Sequence, residues 1–263
     1  MGDNILTMIK VIELPIDKDM GGLTSYVLQL YRMIDKEEFE LTLLSYDDPQ
    51  NFDVNYKVET VSRPYHIIQF YKKMKCLLSE GKDIIHFHQS YVNIIPILTA
   101  KLAGFKTIIL HAHSSSIDDN RKIVRFLKTE LHKVGRFLLP YLVDIYIGCS
   151  TKASEWMFPR KCIDSDSYYL LHNAIDSDLY DRNINLGLEV RQKFNIPKDA
   201  LIVGHIGRFT PVKNHSFIID IFKEVLKQNP NSYLFLLGDG VERHKVESLV
   251  KSAAISDKVG VCK

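Results

Sequence analysis

Short hydrophobic runs alternate with segments of helical periodicity along most of the chain. The runs predict buried strands, and apolar residues that recur every three to four positions predict helices that cover a sheet with one face. In the first part of the chain, strands are predicted at 5–13, 39–45, 83–88, 107–111, 144–149 and 168–171. The predicted helices begin at Gly21-Gly22 and then span 67–79, 93–103 and 121–139. This alternation is typical of βαβ units in a largely parallel sheet covered on both faces.

The same pattern continues beyond a polar, irregular stretch at 176–186, which we expect to be a linker. After it, the predicted elements are strands at 200–206 and 233–237, helices at 214–228 and 242–253, and the beginning of another strand at 259–263. We therefore expect an α/β protein with two Rossmann-like, doubly wound domains, 1–176 and 177–263. The second domain is expected to be incomplete, since it holds only two strand–helix units. Its unpaired sheet edge would favour self-association or a partner chain.

Composition and charge narrow the class of protein. With 46% hydrophobic residues among 263, the chain can build a core, which excludes a disordered chain. Its 34 basic and 32 acidic residues give a net charge of +2, too weak a field to indicate nucleic-acid binding. The chain has no apolar run long enough to cross a membrane and no signal peptide, and its four cysteines are far apart. These features predict a cytoplasmic protein with reduced thiols.

Two loops contain residues suited to binding an anion. Gly21 and Gly22 lie where the first strand gives way to the first helix, and glycines there let backbone N–H groups approach a phosphate. Arg208 and Lys213 lie between the strand at 200–206 and the next helix, and two cations beside a helix N-terminus suit a diphosphate. A simple turn in the first case and a solvated basic loop in the second are the alternatives.

Four histidines form two His-x-His pairs, each near the end of a predicted strand. His86 and His88 form the first pair, and His111 and His113 form the second. Residues two apart share one face of a strand, so such pairs can ligate a metal ion. Because no carboxylate or cysteine partner is obvious, we expect no metal. One histidine is expected to contact a substrate and the others to be satisfied residues of the core.

The predicted helix at 121–139 is both basic and apolar. Within 121–136, six lysines and arginines stand against a single acidic residue, Glu130. The apolar side would suit the surface of an anionic membrane, or it would cover the sheet while the basic face lies in solvent. The residues of that side are Ile123, Phe126, Leu127, Leu131 and Val134.

Seven motifs share an order and spacing with one known family. They are Gly21-Gly22, Asp83–His86, His111–His113, Cys149-Ser150, Asn173–Asp176, Gly207–Asn214 and Gly238–Gly240. Together they resemble glycosyltransferase family 4, retaining enzymes of the GT-B fold, and in particular the bacterial capsular and exopolysaccharide transferases. The resemblance covers essentially the whole chain.

The resemblance implies a reaction and a role for each candidate residue. It implies transfer of a sugar from a nucleotide diphosphate-sugar, such as a UDP-sugar, to a glycan or lipid-linked acceptor in cell-surface polysaccharide biosynthesis. The first domain would take the acceptor and the second the donor. Arg208 and Lys213 would hold the donor diphosphate, the backbone at Gly21 and Gly22 would approach the same phosphates, and His113 would be the catalytic residue near the transferred sugar.

Cofactor and location also follow from the resemblance. Members of the family generally need no divalent ion, so neither a metal nor another cofactor is expected. A lipid-linked acceptor would favour peripheral contact through 121–136 with the inner face of the cell membrane.

Three other interpretations stay open. Further strand–helix units and a pair of glutamates that complete the family's donor site are missing from this chain. In the first interpretation, the chain is therefore a truncated or split transferase that is not catalytic alone. It would bind the acceptor or a membrane and need a partner chain to supply the donor half. A metal-dependent hydrolase could be built on the two histidine pairs. A nucleotide-sugar epimerase of the same architecture is the third.

Overall fold

The chain divides into two compact units, Met1–Ile175 and Asp176–Lys263, each of which is described by itself. The computed structural model describes residues 8–17, 21–48, 56–117, 119, 121–177 and 184–262, with the backbone alone at 184 and 185. The division falls one residue before the boundary expected from the sequence. The start of the first predicted strand, at 5–7, lies outside the described residues.

The first unit is built on a seven-stranded parallel sheet. Its strands are β1 Ile9–Ile16, β2 Phe39–Ser45, β3 Val58–Thr60, β4 Ile84–Gln89, β5 Thr107–Ala112, β6 Ile145–Gly148 and β7 Tyr168–Leu170. They follow the spatial order β3-β2-β1-β4-β5-β6-β7. The chain therefore adds strands on one side of β1 first and then continues with β4 on the other side of β1. Ligands bind open α/β sheets at such a switch point, outside the carboxyl ends of the strands.

Helices connect these strands, and two of them, α2 and α3, end at the residue that the sequence predicted. They are α1 Gly22–Met33, α2 Ile67–Ser79, α3 Ile94–Ala103, α4 Lys122–Leu142, α5 Thr151–Met157 and α6 Arg160–Ile163. The side chain of Asn93 accepts the backbone N–H of Ile95 and caps α3, which ends at Gly104 in the left-handed conformation. The sequence predicted the end of α4 at 139, but the helix continues to Leu142.

The second unit contains a three-stranded parallel sheet. Its elements are α7 Ile184–Lys193, β8 Leu201–Ile206, α8 His215–Gln228, β9 Ser232–Leu237, α9 Arg243–Ser252 and β10 Val259–Cys262. The strands follow the spatial order β10-β9-β8. The predicted strand beginning at 259 is confirmed, and it pairs with β9 from Val259 opposite Leu234 onward. The prediction of an irregular linker through 186 is wrong at its end, because α7 already begins at Ile184.

The core of the first unit is apolar on both faces of the sheet, as expected for a parallel sheet. Ile12 and Leu14 on β1 and Phe87 on β4 are buried on one face, and Leu43 on β2, in register with Glu13, is buried on the other. A group of buried polar side chains interrupts this core where β1, β4 and β5 lie next to each other. That place holds the histidines singled out in the sequence.

Candidate active site

A group of buried polar side chains lies towards the carboxyl ends of three neighbouring strands. Glu13 on β1 is in register with His86 on β4, and His88 on β4 is in register with His111 on β5. All four residues are less than a tenth exposed. His113 follows β5 directly and is partly exposed. We call these five residues the histidine cluster.

Hydrogen bonds connect Glu13, His88 and His113 in a row. Oε2 of Glu13 lies 2.6 Å from Nε2 of His88, and Nδ1 of His88 lies 2.8 Å from Nε2 of His113. The same carboxylate oxygen lies 3.0 Å from Nδ1 of His86. The backbone N–H of His113 donates to the carbonyl oxygen of Gln89, 3.0 Å away, and so attaches this residue to the end of β4.

Burial and mutual contact shift the pKa values in this cluster. Burial alone would raise the pKa of Glu13, but interactions with His86 and His88 outweigh it and hold that pKa well below its usual range. Burial, with a smaller effect of His86, lowers the pKa of His88 to about 4. Burial and the neighbouring histidines also lower the pKa values of His111 and His113 well below the usual range. At neutral pH the carboxylate is therefore ionised and these three rings are neutral.

The helix α1 packs against the cluster through Tyr26. The Tyr26 ring lies edge-on to His111, with the ring centroids 5.2 Å apart, and 5.3 Å from the ring of His113. Both ring nitrogens of His111 are buried without a hydrogen-bond partner among the described residues. An aromatic ring thus packs against His111, and no described group forms a hydrogen bond with its ring nitrogens.

The histidines also approach the spacing of a metal site. His86, His88 and His111 each offer a ring nitrogen, and these atoms lie within 4.8 Å of one another. Sequence reasoning found no carboxylate partner for them, and Glu13 supplies one. Both ring nitrogens of His88 are already engaged, one with Glu13 and the other with His113. An ion bound through His88 would therefore break one of these two hydrogen bonds.

Gly21 and Gly22 form the N-terminal end of α1. Gly21 is the N-cap residue, and no side chain caps the helix. No described atom lies within 4 Å of the position that a β-carbon on Gly22 would take. The hydroxyl of Thr24 is hydrogen-bonded to the backbone of Asp17, which ties the end of β1 to the first turn of the helix. No described side chain accepts from the first-turn N–H groups, so these donors are available to an anion.

In the second unit, Arg208 and Lys213 lie on the loop between β8 and α8. Residues Pro211–Lys213 form a 3₁₀ turn, and Asn214 in the left-handed conformation, with φ of 48°, leads into α8. Both cationic side chains are exposed, and neither makes an ion pair with another residue that the structure describes. Two unpaired positive charges therefore lie beside the N-terminus of α8, where the helix dipole adds to their field.

A second glycine-containing loop fixes the shape of this one. Gly240 has φ of 151°, and a β-carbon there would lie 2.6 Å from the carbonyl oxygen of Phe209. Phe209 is fully buried and stacks on His215, with ring centroids 4.2 Å apart. Its backbone N–H donates to the carbonyl oxygen of Asp239 at 2.8 Å. Main-chain contacts therefore hold the Arg208 loop in place, and only glycine fits at position 240 without strain.

The sequence-predicted residues are thus grouped by unit. Gly21, Gly22 and His113 all lie at the carboxyl end of the first sheet, whereas Arg208 and Lys213 lie on one loop of the second unit. Sequence reasoning missed Glu13 and Tyr26. A single acidic residue inside the apolar run of β1 was the signal for Glu13, and Tyr26 had no such signal.

The apolar side of α4 lies at the surface. Its members are 53% to 76% exposed, namely Ile123, Phe126, Leu127, Leu131 and Val134. The side towards the core consists of His132, Gly135 and Leu139 instead. The prediction that the apolar side of α4 covers the sheet is therefore wrong. The helix instead presents an exposed apolar stripe flanked by basic residues. Among the residues that the structure describes, no helix has the length and apolar character needed to span a membrane.

Comparisons with known proteins agree with this arrangement. The family model for Glycosyltransferase Family 4 matches residues 20–179, and the model for Glycosyl transferases group 1 matches residues 188–263. EpsF of Bacillus subtilis, named as a glycosyltransferase, is 25% identical over 88% of this chain and 62% of its own length. The UDP-Gal:alpha-D-GlcNAc-diphosphoundecaprenol alpha-1,3-galactosyltransferase of Escherichia coli is 21% identical over the same shares. The chain thus spans 62% of the length of these relatives.

A solved structure shows the same fold. HepE from Anabaena, crystallised in complex with UDP and glucose, matches with a TM-score of 0.73 and 14% identity over 98% of this chain and 70% of HepE. This likeness confirms the GT-B type of α/β fold. One family model alone covers more than half of the residues. The chain therefore belongs to glycosyltransferase family 4.

Proposed function

We propose that this protein transfers a sugar from a nucleotide diphosphate-sugar, a UDP-sugar, to a glycan or lipid-linked acceptor in cell-surface polysaccharide biosynthesis. The observation that carries the proposal is the pair of exposed, unpaired cations, Arg208 and Lys213, on a loop whose backbone is held by Phe209 and Gly240. The names of the relatives support it, since one acts on UDP-Gal and a diphosphoundecaprenol-linked sugar. HepE, with UDP and glucose bound, supports the donor class.

The cationic loop fits the chemistry of the leaving group. When the glycosidic bond to the donor breaks, negative charge develops on the nucleoside diphosphate. Fixed cations and N–H groups stabilise that charge more in the transition state than in the ground state, because they need no reorganisation. Arg208 can form paired hydrogen bonds to phosphate oxygens, and Lys213 adds a point charge. Together they can provide the stabilisation that a divalent ion gives in metal-dependent transferases, so the proposal needs no metal.

The first unit offers two further contacts to the substrates. The open N-terminus of α1 at Gly21 and Gly22 can bind phosphate oxygens through backbone N–H groups. His113 is the one member of the histidine cluster that is partly exposed, so it can reach a bound sugar. We assign it the catalytic contact near the transferred sugar.

The exposed face of α4 supports a membrane-bound acceptor. A long helix with an outward apolar stripe and flanking lysines and arginines suits the surface of a membrane with anionic lipids. Lys122 and Arg125 are exposed beside that stripe and form no ion pair within the described part of the chain. We therefore propose that the protein works at the inner face of the cell membrane, where it takes up a lipid-linked acceptor.

A transfer assay tests the proposal. The purified chain is incubated with a panel of radiolabelled UDP-sugars and with lipid extracts that contain undecaprenyl diphosphate-linked sugars, and label is counted in the lipid fraction. The proposal expects transfer from at least one donor and its loss in the Arg208→Ala/Lys213→Ala variant. Transfer that the double variant retains would contradict the assigned donor site.

The same assay separates the alternatives. A split transferase would show no transfer alone and would gain it when a chain with the remaining units of a relative is added. An epimerase would convert one UDP-sugar into another without any acceptor. A metal-dependent hydrolase would release free sugar and contain stoichiometric zinc, manganese or iron by elemental analysis.

A further inference from the structure

The hydrogen-bonded row of Glu13, His88 and His113 has only one consistent arrangement of protons. An ionised carboxylate has no proton and can only accept, so Nε2 of His88, 2.6 Å away, carries a hydrogen. A neutral imidazole has one donor and one acceptor, which makes Nδ1 of His88 the acceptor. Nε2 of His113, 2.8 Å from it, must then be the donor. By the same rule, Nδ1 of His113 has a free lone pair.

The protonation states in this row follow from its surroundings. Glu13 is 1% exposed and lies between two histidine nitrogens, and its pKa is held low by them. Burial lowers the pKa of His88 to about 4, so its ring is neutral in the physiological range. The opposite tautomer of His88 would bring a lone pair to within 2.6 Å of the carboxylate, where two acceptors repel.

Packing and hydrogen bonds restrict the orientation of these rings. His88 is 1% exposed, and Tyr26 lies against the rings of His111 and His113. The His113 main chain is fixed by the hydrogen bond of its N–H to Gln89. No described residue donates to Nδ1 of His113, so this nitrogen is left for a ligand.

We propose that Glu13 and His88 are positioning residues that hold His113 in the Nε2–H tautomer, so that its Nδ1 accepts a hydrogen bond from a hydroxyl of the bound ligand. This inference rests on the function proposed for His113 but assigns it a single chemical role. His113 then orients a hydroxyl group and does not protonate the leaving diphosphate. Glu13 contributes without touching the substrate, in the way that a carboxylate fixes the tautomer of a catalytic histidine in other enzymes.

Nitrogen NMR of the full chain tests the proposal without any need for turnover. Two-bond ¹H–¹⁵N spectra of uniformly labelled protein distinguish the two neutral tautomers and the charged ring for each histidine. The His88→Gln and His113→Gln variants assign the signals. The proposal expects both His88 and His113 as neutral Nε2–H tautomers from pH 6 to pH 8. A charged ring or an Nδ1–H tautomer at either residue would overturn it.

Variants of Glu13 test the cause. Glu13→Gln introduces an N–H donor, which permits the other tautomer of His88, so we expect the His113 signals to shift to a mixture. Glu13→Asp keeps a group that only accepts and should retain the Nε2–H pattern. Glu40→Gln, at a partly exposed carboxylate on β2, is the matched control and should change neither histidine. An unchanged tautomer in a folded Glu13→Gln protein would refute the positioning role.

Kinetics adds a readout that depends on function. In the transfer assay, Glu13→Gln should lower kcat by about tenfold or more with little change in the KM for the acceptor, because one oriented hydrogen bond is lost in the transition state. If neither the wild type nor any variant showed turnover, that result would count against the proposed function. The NMR measurement of the His88 and His113 tautomers would still support or overturn the positioning role. Full activity of Glu13→Gln together with altered tautomers would show that the position of the proton is irrelevant and overturn the assigned role.

Discussion

Gly135 of α4 touches Val92 so closely that a β-carbon on Gly135 would lie 2.5 Å from Cγ1 of Val92. Val92 itself is fully buried, and its backbone N–H donates to Nδ1 of His132, one turn earlier on the same helix as Gly135. His132 also stacks on Trp156, with ring centroids 4.3 Å apart. This contact explains how a helix can bury a glycine and a histidine and turn its apolar stripe outward.

Replacement of Gly135 by alanine should therefore destabilise the first unit. The added methyl group gains about 1 kcal/mol in helix propensity but overpacks a buried site at a cost of about 1–3 kcal/mol. We expect a net loss of stability, measured as a lower midpoint of thermal unfolding. Gly187, inside α7, has no described atom within 4 Å of the position that a methyl group would take, so Gly187→Ala is the matched control and should stabilise its unit. Stabilisation by Gly135→Ala would contradict the close approach.

The exposed stripe of α4 should bind anionic bilayers. The protein is expected to sediment with vesicles that contain phosphatidylglycerol and to remain in solution with pure phosphatidylcholine, because the stripe and its cations act together. The Ile123→Ser/Phe126→Ser/Leu131→Ser variant should reduce binding by about tenfold or more, since each side chain loses part of its transfer free energy.

A similar change elsewhere shows whether the loss of binding is specific to α4. Phe217 and Ile221 are exposed at one side of α8 in the second unit. Phe217→Ser/Ile221→Ser should leave vesicle binding unchanged. Equal loss in both variants, or equal binding to both kinds of vesicle, would rule out α4 as the membrane contact.

The loop that carries Arg208 and Lys213 should depend on Gly240 of the neighbouring loop. At φ of 151°, Gly240→Ala would introduce backbone strain of about 1–3 kcal/mol and a clash with the carbonyl of Phe209. We expect weaker UDP binding even though both cations remain. Gly204→Ala on β8, where no described atom crowds the site, should bind UDP like the wild type. Unchanged affinity in Gly240→Ala would mean that the loop does not need this support.

Stability should decrease steeply as the pH falls from 7 towards 4. The pKa values of His88, His111 and His113 are lowered in the folded chain, whereas the unfolded chain takes up these protons near pH 6.5. In this window the unfolded state binds more protons, so each such histidine removes about 1.4 kcal/mol of stability per pH unit. The stabilising effect is present above about pH 6.5 and is lost as the pH falls.

Removal of one buried histidine should make this dependence shallower. His111 has no hydrogen bond to lose among the described residues, so His111→Leu should fold and lower the slope of unfolding free energy against pH by about one proton. The experiment is urea unfolding at several pH values between 4.5 and 7.5. His244→Leu, at a side chain that is 98% exposed, serves as the control for the loss of a histidine that is not buried. Identical slopes for His111→Leu and the wild type would argue that His111 is not held neutral by burial.

Local patterns in the sequence were enough to predict most of the sheet and helices. The strand at 39–45 and the helix at 67–79 have the bounds that apolar periodicity predicted, and Asn93 and Gly104 mark the two ends of α3. The short elements β3, α5 and α6 were missed, because three to seven residues carry too little periodicity to stand out.

The orientation of α4 and the partner of the histidines could not be derived locally. The outward stripe depends on how tightly Gly135 and Val92 fit, which is a contact between distant parts of the chain. Glu13 and His88 meet because β1 and β4 become neighbours, although 75 residues separate them. Sequence patterns predict which residues lie on a strand. Which side chains meet on neighbouring strands depends on the order of the strands in the sheet.

The central claim, that the Arg208 loop binds the diphosphate of a nucleotide-sugar, is tested most directly by calorimetric titration of the chain with UDP. Each cation can contribute charge-assisted hydrogen bonds worth about 1.5–3 kcal/mol, so Arg208→Ala/Lys213→Ala should weaken binding by at least about a hundredfold. Lys227→Ala/Lys251→Ala removes the same charge from the far ends of α8 and α9 and should bind like the wild type. Binding that is lost only in the first variant is the predicted result. No binding by the folded wild type, or equal binding by all three proteins, would contradict the claim.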